Sequence, residues 1–115
     1  MSVTIYHNPR CSKSRQALQL LTDNGIEPQI IEYLKTPPSA TEIKKILKLL
    51  KISARGLIRE KESLYAELNL DNTMASEEDL VKAMADNPIL MERPVVIANG
   101  KAVIGRPPDA VLKII

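Results

Sequence analysis

The first third of the chain switches from one hydrophobic period to another and back, which limits the folds that it can adopt. Residues 2–6 alternate apolar and polar side chains, as a short strand does, and Asn8-Pro9 ends the run. From Ser12, apolar residues recur at helical spacing as far as Gly25, a residue type that commonly follows the end of a helix. Residues 28–34 predict a second strand, and the intervening helix is long enough to make the two strands parallel neighbours. The pattern therefore indicates a β-α-β unit.

The rest of the chain predicts helices followed by a hairpin. Ser39 and Glu42 have the spacing of a capping box at the start of a helix, and Ser76 begins a further helix. Asn99-Gly100 between two apolar runs is a strong signal for a tight hairpin, and residues 109–115 predict a short last helix. A chain of 115 residues has the size of one domain. We therefore expect a single α/β domain, with a mixed sheet flanked by helices.

The charge and aromatic composition argue against two classes of partner. Sixteen basic residues stand against fourteen acidic ones, and a net charge of +2 gives no overall attraction to nucleic acid or to an anionic membrane. The only aromatic residues are three tyrosines, so the stacking platforms of single-strand binding proteins are missing. The N-terminal residues lack the pattern of a secretory leader, and no apolar run approaches the roughly 18 residues of a membrane span. We expect a soluble cytoplasmic protein that binds neither nucleic acid nor membranes.

Cys11 is the only cysteine, which excludes a disulfide within the chain. With His7 as the only histidine, a closed zinc site is implausible, and we expect no metal. Cys11 lies where the predicted helix begins, and unpaired N–H groups there favour a thiolate. The polar segment around it favours a reactive thiol over the alternative, a buried structural cysteine.

The neighbours of Cys11 limit its chemistry. The position that would complete a Cys-x-x-Cys pair is Ser14, so the thiol needs an external thiol to resolve its adducts. Ser14 could donate a hydrogen bond to the sulfur or could be an ordinary polar residue of the first helical turn. His7 could support the thiolate as a nearby cation, or could end the strand as a solvent-exposed imidazole. A phosphatase loop would need arginine at the position of Ala17, which excludes that class.

Three arginines lie outside the clear helix interiors, namely Arg59, Arg93 and Arg106. The planar guanidinium makes paired hydrogen bonds to tetrahedral oxyanions, and Arg93 directly precedes a proline while Arg106 follows the hairpin. Each of them alone is more often a surface charge. Their joint use depends on whether the fold brings them together.

Residues 6–15, with the sequence YHNPRCSKSR, resemble the active-site loop of glutaredoxin-dependent arsenate reductases, which have a thioredoxin-like fold. The resemblance continues along nearly the whole chain and in the same order as in that family. The further matching segments are Tyr33-Leu34 with Pro37-Pro38-Ser39, Arg55-Gly56-Leu57-Ile58-Arg59, Asn87-Pro88-Ile89-Leu90, Glu92-Arg93-Pro94-Val95-Val96 and Gly105-Arg106-Pro107.

The resemblance implies an arsenate reductase in which Cys11 attacks arsenate and forms a covalent thiol-arsenate adduct. His7 and Ser14 would stabilise the Cys11 thiolate. Glutathione would attack the adduct as a co-substrate, and glutaredoxin would reduce the resulting mixed disulfide. No bound cofactor is implied. Arsenate, glutathione and glutaredoxin are therefore the expected partners.

The resemblance also implies the oxyanion site and the organisation of the domain. Arg59, Arg93 and Arg106 would bind the oxyanion, and Pro94 would be the cis proline that the fold places opposite the cysteine. A helical insertion at about 39–87 would separate the β-α-β and β-β-α halves. Arg10 and Lys13 flank the cysteine with two further cations, which could tighten oxyanion binding or suit another anionic partner such as glutathione.

Two alternatives share the same scaffold. One is a glutathione-dependent thiol reductase with a different substrate. The other is a binding module similar to the Spx-type regulators, which engage RNA polymerase and turn over no substrate. The presence of all three arginines argues against the second alternative.

Overall fold

The computed structural model describes residues 2–72 and 74–115, which fall into two compact units. One unit combines residues 2–36 with 93–115, and the other spans Pro37–Glu92. The second unit covers the stretch for which a helical insertion is predicted, at about 39–87. The assignment of the whole chain to a single domain stays a prediction.

The first unit carries the sheet and the helix that follows Cys11. Its elements are β1 (Val3–His7), α1 (Ser12–Asp23), β2 (Gln29–Glu32), β3 (Val95–Ala98), β4 (Lys101–Ile104) and a 3₁₀ helix at Pro108–Lys113.

The strands form one mixed sheet in the order β2-β1-β3-β4. β1 and β2 are parallel, with His7 opposite Glu32 at their carboxyl ends. β3 is antiparallel to both β1 and β4. Asn99 and Gly100 connect β3 to β4 with φ angles of 54° and 72°, the left-handed conformation that a tight hairpin turn requires. The predicted β-α-β unit, hairpin and mixed sheet are confirmed.

The core of the first unit lies where α1 and the 3₁₀ helix pack against β1 and β3. Full burial of an aliphatic side chain contributes about 1.5–3 kcal/mol, so this cluster holds α1 against β1 and thereby fixes the position of the loop that joins them. Cys11 sits at that junction. The buried members of the cluster are Val3, Ile5, Ala17, Leu21, Val96, Ala98, Val111 and Ile114.

The second unit is helical. Its elements are α2 (Ala40–Leu50), α3 (Ala54–Leu57), α4 (Ser63–Glu67), α5 (Glu77–Asp86) and a 3₁₀ helix at Pro88–Leu90.

α2 and α3 both pack against α5, and Arg55 fastens the segment that follows them. Its guanidinium donates to the Tyr65 hydroxyl at 2.8 Å and to the Leu70 and Asn72 carbonyl oxygens at 2.9 Å each.

None of the helices among the described residues combines the length and the apolar character needed to cross a membrane.

Three local predictions differ from the structure. At the start of α2, Ser39 Oγ accepts from the Glu42 N–H at 3.1 Å, and the Ser39 hydroxyl donates to the Glu42 carboxylate at 3.4 Å. The reciprocal capping box occurs instead at Ser76 and Asp79, at the start of α5. β2 is shorter than the predicted strand, and the predicted last helix is a 3₁₀ helix.

Candidate active site

Cys11 is the N-cap of α1, directly before the first helical residue. In this position a serine or aspartate oxygen commonly accepts from the backbone N–H groups two and three residues on. In this chain those groups belong to Lys13 and Ser14. The Cys11 side chain is intermediate in exposure, so the buried structural cysteine considered above is excluded.

The surroundings of Cys11 favour the thiolate. Partial burial on its own raises the pKa of the thiol. The backbone N–H of Ser14, the positive charge of Arg93 and the backbone N–H of Lys13 outweigh burial and hold the pKa below its ordinary value. A reactive thiol therefore agrees with the structure.

The lowered pKa predicts how alkylation of Cys11 depends on pH. Only the thiolate attacks iodoacetamide, so we expect the rate to reach half of its maximum at a lower pH than for a free cysteine, whose pKa is about 8.5. Unfolding in urea should restore the ordinary midpoint. Arg93→Ala should raise the midpoint in the folded protein, because it removes a charge that stabilises the thiolate. A folded midpoint equal to the unfolded one would contradict the prediction.

Ser14 is fully buried and connects the two ends of the Cys11 loop. Its Oγ accepts from the Asn8 N–H at 3.0 Å and lies 2.6 Å from Nδ1 of His7. Which group donates in the contact between Ser14 Oγ and His7 Nδ1 depends on the tautomer of the imidazole, because a hydroxyl oxygen can accept two hydrogen bonds as well as donate one. The partners of the Ser14 hydroxyl are Asn8 and His7, and the alternative in which this hydroxyl donates to the sulfur is not among its contacts. The support from Ser14 comes through its backbone N–H.

His7 is buried, with 6% of its surface exposed, so the alternative of a solvent-exposed imidazole is wrong. Burial lowers the pKa of His7 below its ordinary value; the Glu32 carboxylate opposes this effect and Arg15 adds to it. The imidazole is therefore mainly neutral at pH 7. A neutral imidazole carries no positive charge, so the structure does not favour the alternative in which His7 supports the thiolate as a nearby cation.

Replacing Ser14 by alanine is expected to destabilise the protein by about 1–3 kcal/mol, because the Asn8 N–H and His7 Nδ1 lose their buried partner. The measurement is the free energy of unfolding in urea. Ser12→Ala is the matched control, since Ser12 is exposed in the same turn of α1 and alanine is the better helix former. Equal stability of the two variants would contradict the role given to Ser14.

Two of the three predicted arginines lie near the sulfur. Arg106 follows β4, and its Nη1 lies 3.9 Å from Cys11 Sγ, where it donates a long hydrogen bond. The same nitrogen donates to the Arg93 carbonyl oxygen at 3.3 Å. The Arg93–Pro94 peptide bond is cis, as the resemblance implies, and the Arg106–Pro107 bond is also cis.

Gly105 allows the turn after β4 to approach Pro94. The Gly105 N–H donates to the Pro94 carbonyl oxygen at 2.8 Å. A Cβ atom at position 105 would lie 2.7 Å from Cγ of Pro94 and 3.4 Å from Cβ of Ala17. The proline ring cannot rotate away as a flexible side chain could, so this approach requires glycine. It places Arg106 beside Pro94.

Arg59, the third predicted arginine, belongs to the second unit, in the loop between α3 and α4. Its Nη1 lies 2.7 Å from Oε1 of Glu62, and its Nε lies 3.2 Å from Oε1 of Glu92. All three side chains are mostly buried, with 20–26% of their surfaces exposed. Two carboxylates therefore already engage this guanidinium.

Asn8 has a part in the loop that was not predicted from the sequence. Asn8 Oδ1 accepts from the Arg10 N–H at 3.0 Å, and the Asn8 carbonyl oxygen accepts from the Cys11 N–H at 3.0 Å. An Asn-Pro pair is a known signal for such a turn, so the sequence did contain the information.

Within residues 2–72 and 74–115, no cluster of three His, Cys, Asp or Glu side chains could hold a metal ion.

Residues 6–114 of the chain match the model of the ArsC family. The chain is 60% identical over 114 residues to a protein of Escherichia coli K12 described as the uncharacterized protein YfgD, covering 98% of this chain and 96% of that protein. It is 53% identical over 106 residues to an arsenate reductase of Neisseria meningitidis serogroup A, covering 91% of each.

Among solved structures, an arsenate reductase from Vibrio cholerae matches this chain with a TM-score of 0.98 and 52% sequence identity. The match covers 100% of this chain and 98% of that one. The predicted α/β fold of the thioredoxin-like class is confirmed.

Proposed function

The chain belongs to the ArsC family and is an arsenate reductase, and we propose that Cys11 is the nucleophile of its reaction. The supporting observation is the sulfur itself, whose pKa is lowered and which has the Arg106 guanidinium 3.9 Å away. A thiolate and an oxyanion repel each other. The positive charges of Arg93 and Arg106 offset that repulsion and position arsenic for attack.

The first step forms the thiol-arsenate adduct. The Cys11 thiolate attacks arsenic, an As–S bond forms, and one arsenate oxygen leaves as water after it has taken up protons. Arsenic remains pentavalent in this adduct. Nη1 of Arg106 lies close to Cys11 Sγ, so Arg106 can donate a hydrogen bond to an oxygen of an arsenate that binds at the sulfur.

The second step requires two electrons, which one cysteine cannot supply by forming an internal disulfide. We propose that glutathione attacks the Cys11 sulfur of the adduct. A disulfide then forms between Cys11 and glutathione, the As–S bond breaks, and its electron pair leaves with arsenic as arsenite. Glutaredoxin removes the glutathionyl group by thiol–disulfide exchange and regenerates the Cys11 thiolate.

A coupled assay tests this sequence of steps. NADPH oxidation is followed with glutathione, glutathione reductase, glutaredoxin and the purified protein. We expect NADPH oxidation to depend on arsenate, and we expect the Cys11–glutathione disulfide to accumulate when glutaredoxin is left out. A protein whose Cys11 reacts normally with alkylating reagents but shows no arsenate-dependent turnover would overturn the proposal in favour of a thiol reductase with another substrate.

Arg59 is proposed as the third oxyanion ligand, and its ion pairs predict an unusual effect. Paired hydrogen bonds to an oxyanion use either Nη1 with Nη2 or Nε with Nη2. Glu62 engages Nη1 and Glu92 engages Nε, so a carboxylate occupies one nitrogen of each of these two pairs. An oxyanion must therefore compete with a carboxylate for either pair. Glu62→Gln removes a competing charge, and we expect the KM for arsenate to fall about three- to ten-fold.

The matched control is Glu60→Gln, which makes the same change in charge at an exposed position two residues away. We expect the KM of this variant to equal that of the wild type. The initial rate of the coupled assay, measured over a range of arsenate concentrations, gives both values. An unchanged KM in Glu62→Gln, or the same decrease in both variants, would show that Glu62 does not compete with the oxyanion.

A further inference from the structure

A cavity of about 240 Å³ lies against the loop that leads into Cys11. Its walls are residues 7–10 together with Glu32, Leu34 and Lys35, all within the first unit. It lies beyond the carboxyl ends of the parallel strands β1 and β2, where His7 of β1 is opposite Glu32 of β2 in the strand register. Ligands of α/β proteins commonly bind outside the carboxyl ends of parallel strands.

The cavity is lined by charges of both signs. Arg10 and Lys35 provide two cations, and Glu32 provides one carboxylate. Lys35 Nζ lies 3.6 Å from Oε1 of Glu32, but this pair is exposed, so it contributes little to stability and a ligand can replace it at small cost. Pro9 and Leu34 add apolar wall, and Leu34 is 41% exposed.

Its size suits part of a ligand. Pockets that enclose a whole drug-sized molecule begin at roughly 300 Å³, and this one measures about 240 Å³. An amino-acid head group carries one carboxylate and one ammonium, which are the charges that two cations and one carboxylate would bind. Residues 7–10 line the cavity and directly precede Cys11 in the chain. A thiol peptide whose head group binds in the cavity is therefore held next to the loop that carries Cys11.

We propose that this cavity binds the γ-glutamyl head group of the thiol co-substrate, with Arg10 and Lys35 contacting its carboxylate and Glu32 contacting its ammonium. The proposal rests on the proposed function, since it names the seat of the second thiol of that reaction. Arg10 thereby serves the peptide and not the oxyanion.

A reaction without arsenate tests the cavity independently of the reductase activity. The Cys11 thiolate attacks one sulfur of glutathione disulfide, the glutathione S–S bond breaks, a Cys11–glutathione disulfide forms, and one glutathione thiolate leaves. Mass spectrometry gives the rate constant. Bis(2-hydroxyethyl) disulfide, which has no charged group, gives the reference rate constant for the same thiolate. The rate constant for glutathione disulfide is divided by that for bis(2-hydroxyethyl) disulfide. This ratio measures recognition of the peptide, because the reactivity of the sulfur contributes equally to both rate constants.

We expect this ratio to fall about three- to ten-fold in Arg10→Ala and in Lys35→Ala, as loss of an accessible charged contact would cause. Arg10→Lys should retain most of it. Lys101→Ala, which removes an exposed lysine of β4 far along the chain from this loop, should leave it unchanged.

Glu32→Gln distinguishes a binding site from general attraction. If the cavity binds the ammonium, this variant lowers the ratio; if positive charge merely attracts an anionic disulfide, the same variant raises it. The disulfide of γ-glutamylcysteine should behave like glutathione disulfide, whereas that of cysteinylglycine should be insensitive to Arg10→Ala.

A rise in Glu32→Gln, or an unchanged ratio in Arg10→Ala, would overturn the cavity assignment. Neither result would bear on arsenate reduction, which the coupled assay tests by itself. Conversely, the expected ratios in a protein without arsenate turnover would support the cavity and reject the proposed reaction.

Discussion

Cys11→Ser is expected to abolish arsenate-dependent NADPH oxidation, with a loss of at least about 10⁴-fold, as removal of a covalent nucleophile generally causes. Serine fails at two points. Its hydroxyl remains protonated at neutral pH, where the Cys11 thiol already has a lowered pKa. Its oxygen also cannot form the disulfide through which, in the proposed reaction, arsenic leaves as arsenite. The measurement is the steady-state rate in the coupled assay.

The control for Cys11→Ser is stability. Serine is a better N-cap than cysteine, so the variant should unfold at the same urea concentration as the wild type or at a higher one. Arsenate-dependent turnover that survives in Cys11→Ser would contradict the nucleophile assignment. A large loss of stability would instead show that Cys11 has a structural role.

Arg106→Ala is expected to lower kcat/KM for arsenate about 10²-fold, the typical cost of removing one donor that stabilises developing charge. The Arg106 guanidinium contacts the sulfur and the Arg93 carbonyl oxygen, so alanine removes a positive charge and the link between these two groups. We expect the main loss in kcat/KM, with little change in the free energy of unfolding, because this side chain lies at the surface.

Two further variants identify the cause of the loss. Arg106→Lys keeps the charge but not the planar fork, and should recover only part of the activity. Lys101→Ala removes a positive charge five residues earlier, at the start of β4, and should retain full activity. If Lys101→Ala loses as much activity as Arg106→Ala, the effect comes from net charge and not from contact with the site.

The features that could be predicted from the sequence depend on short-range interactions. Asn99-Gly100 specifies its turn because both residues tolerate positive φ, and Ser76 specifies the start of α5 through bonds within one turn. The position of Cys11 at the start of α1 follows from the same kind of pattern. The electrostatic consequence of that position, a lowered pKa of the thiol, was therefore foreseeable.

The features that could not be predicted depend on contacts between distant parts of the chain. His7 is buried because β1 is an inner strand of the sheet, which also allows its contact with Ser14. Cys11 and Arg106 meet because β3 pairs with β1 and β4 returns along β3. The carboxylates around Arg59 are likewise a tertiary arrangement. The sequence therefore indicated candidate residues but not the contacts that they make in the folded protein.

Gly105 and Arg106 are neighbours in the chain, but they are required for different reasons. Gly105 is required by the packing of its backbone against the Pro94 ring, whatever reaction the protein carries out. Arg106, the next residue, is required by the proposed function, in which an oxyanion binds beside the sulfur that this guanidinium contacts. A descendant lineage that abandoned this chemistry but kept the architecture should preserve the glycine and lose the arginine. The pair thus offers a sequence marker that distinguishes inherited fold from inherited activity.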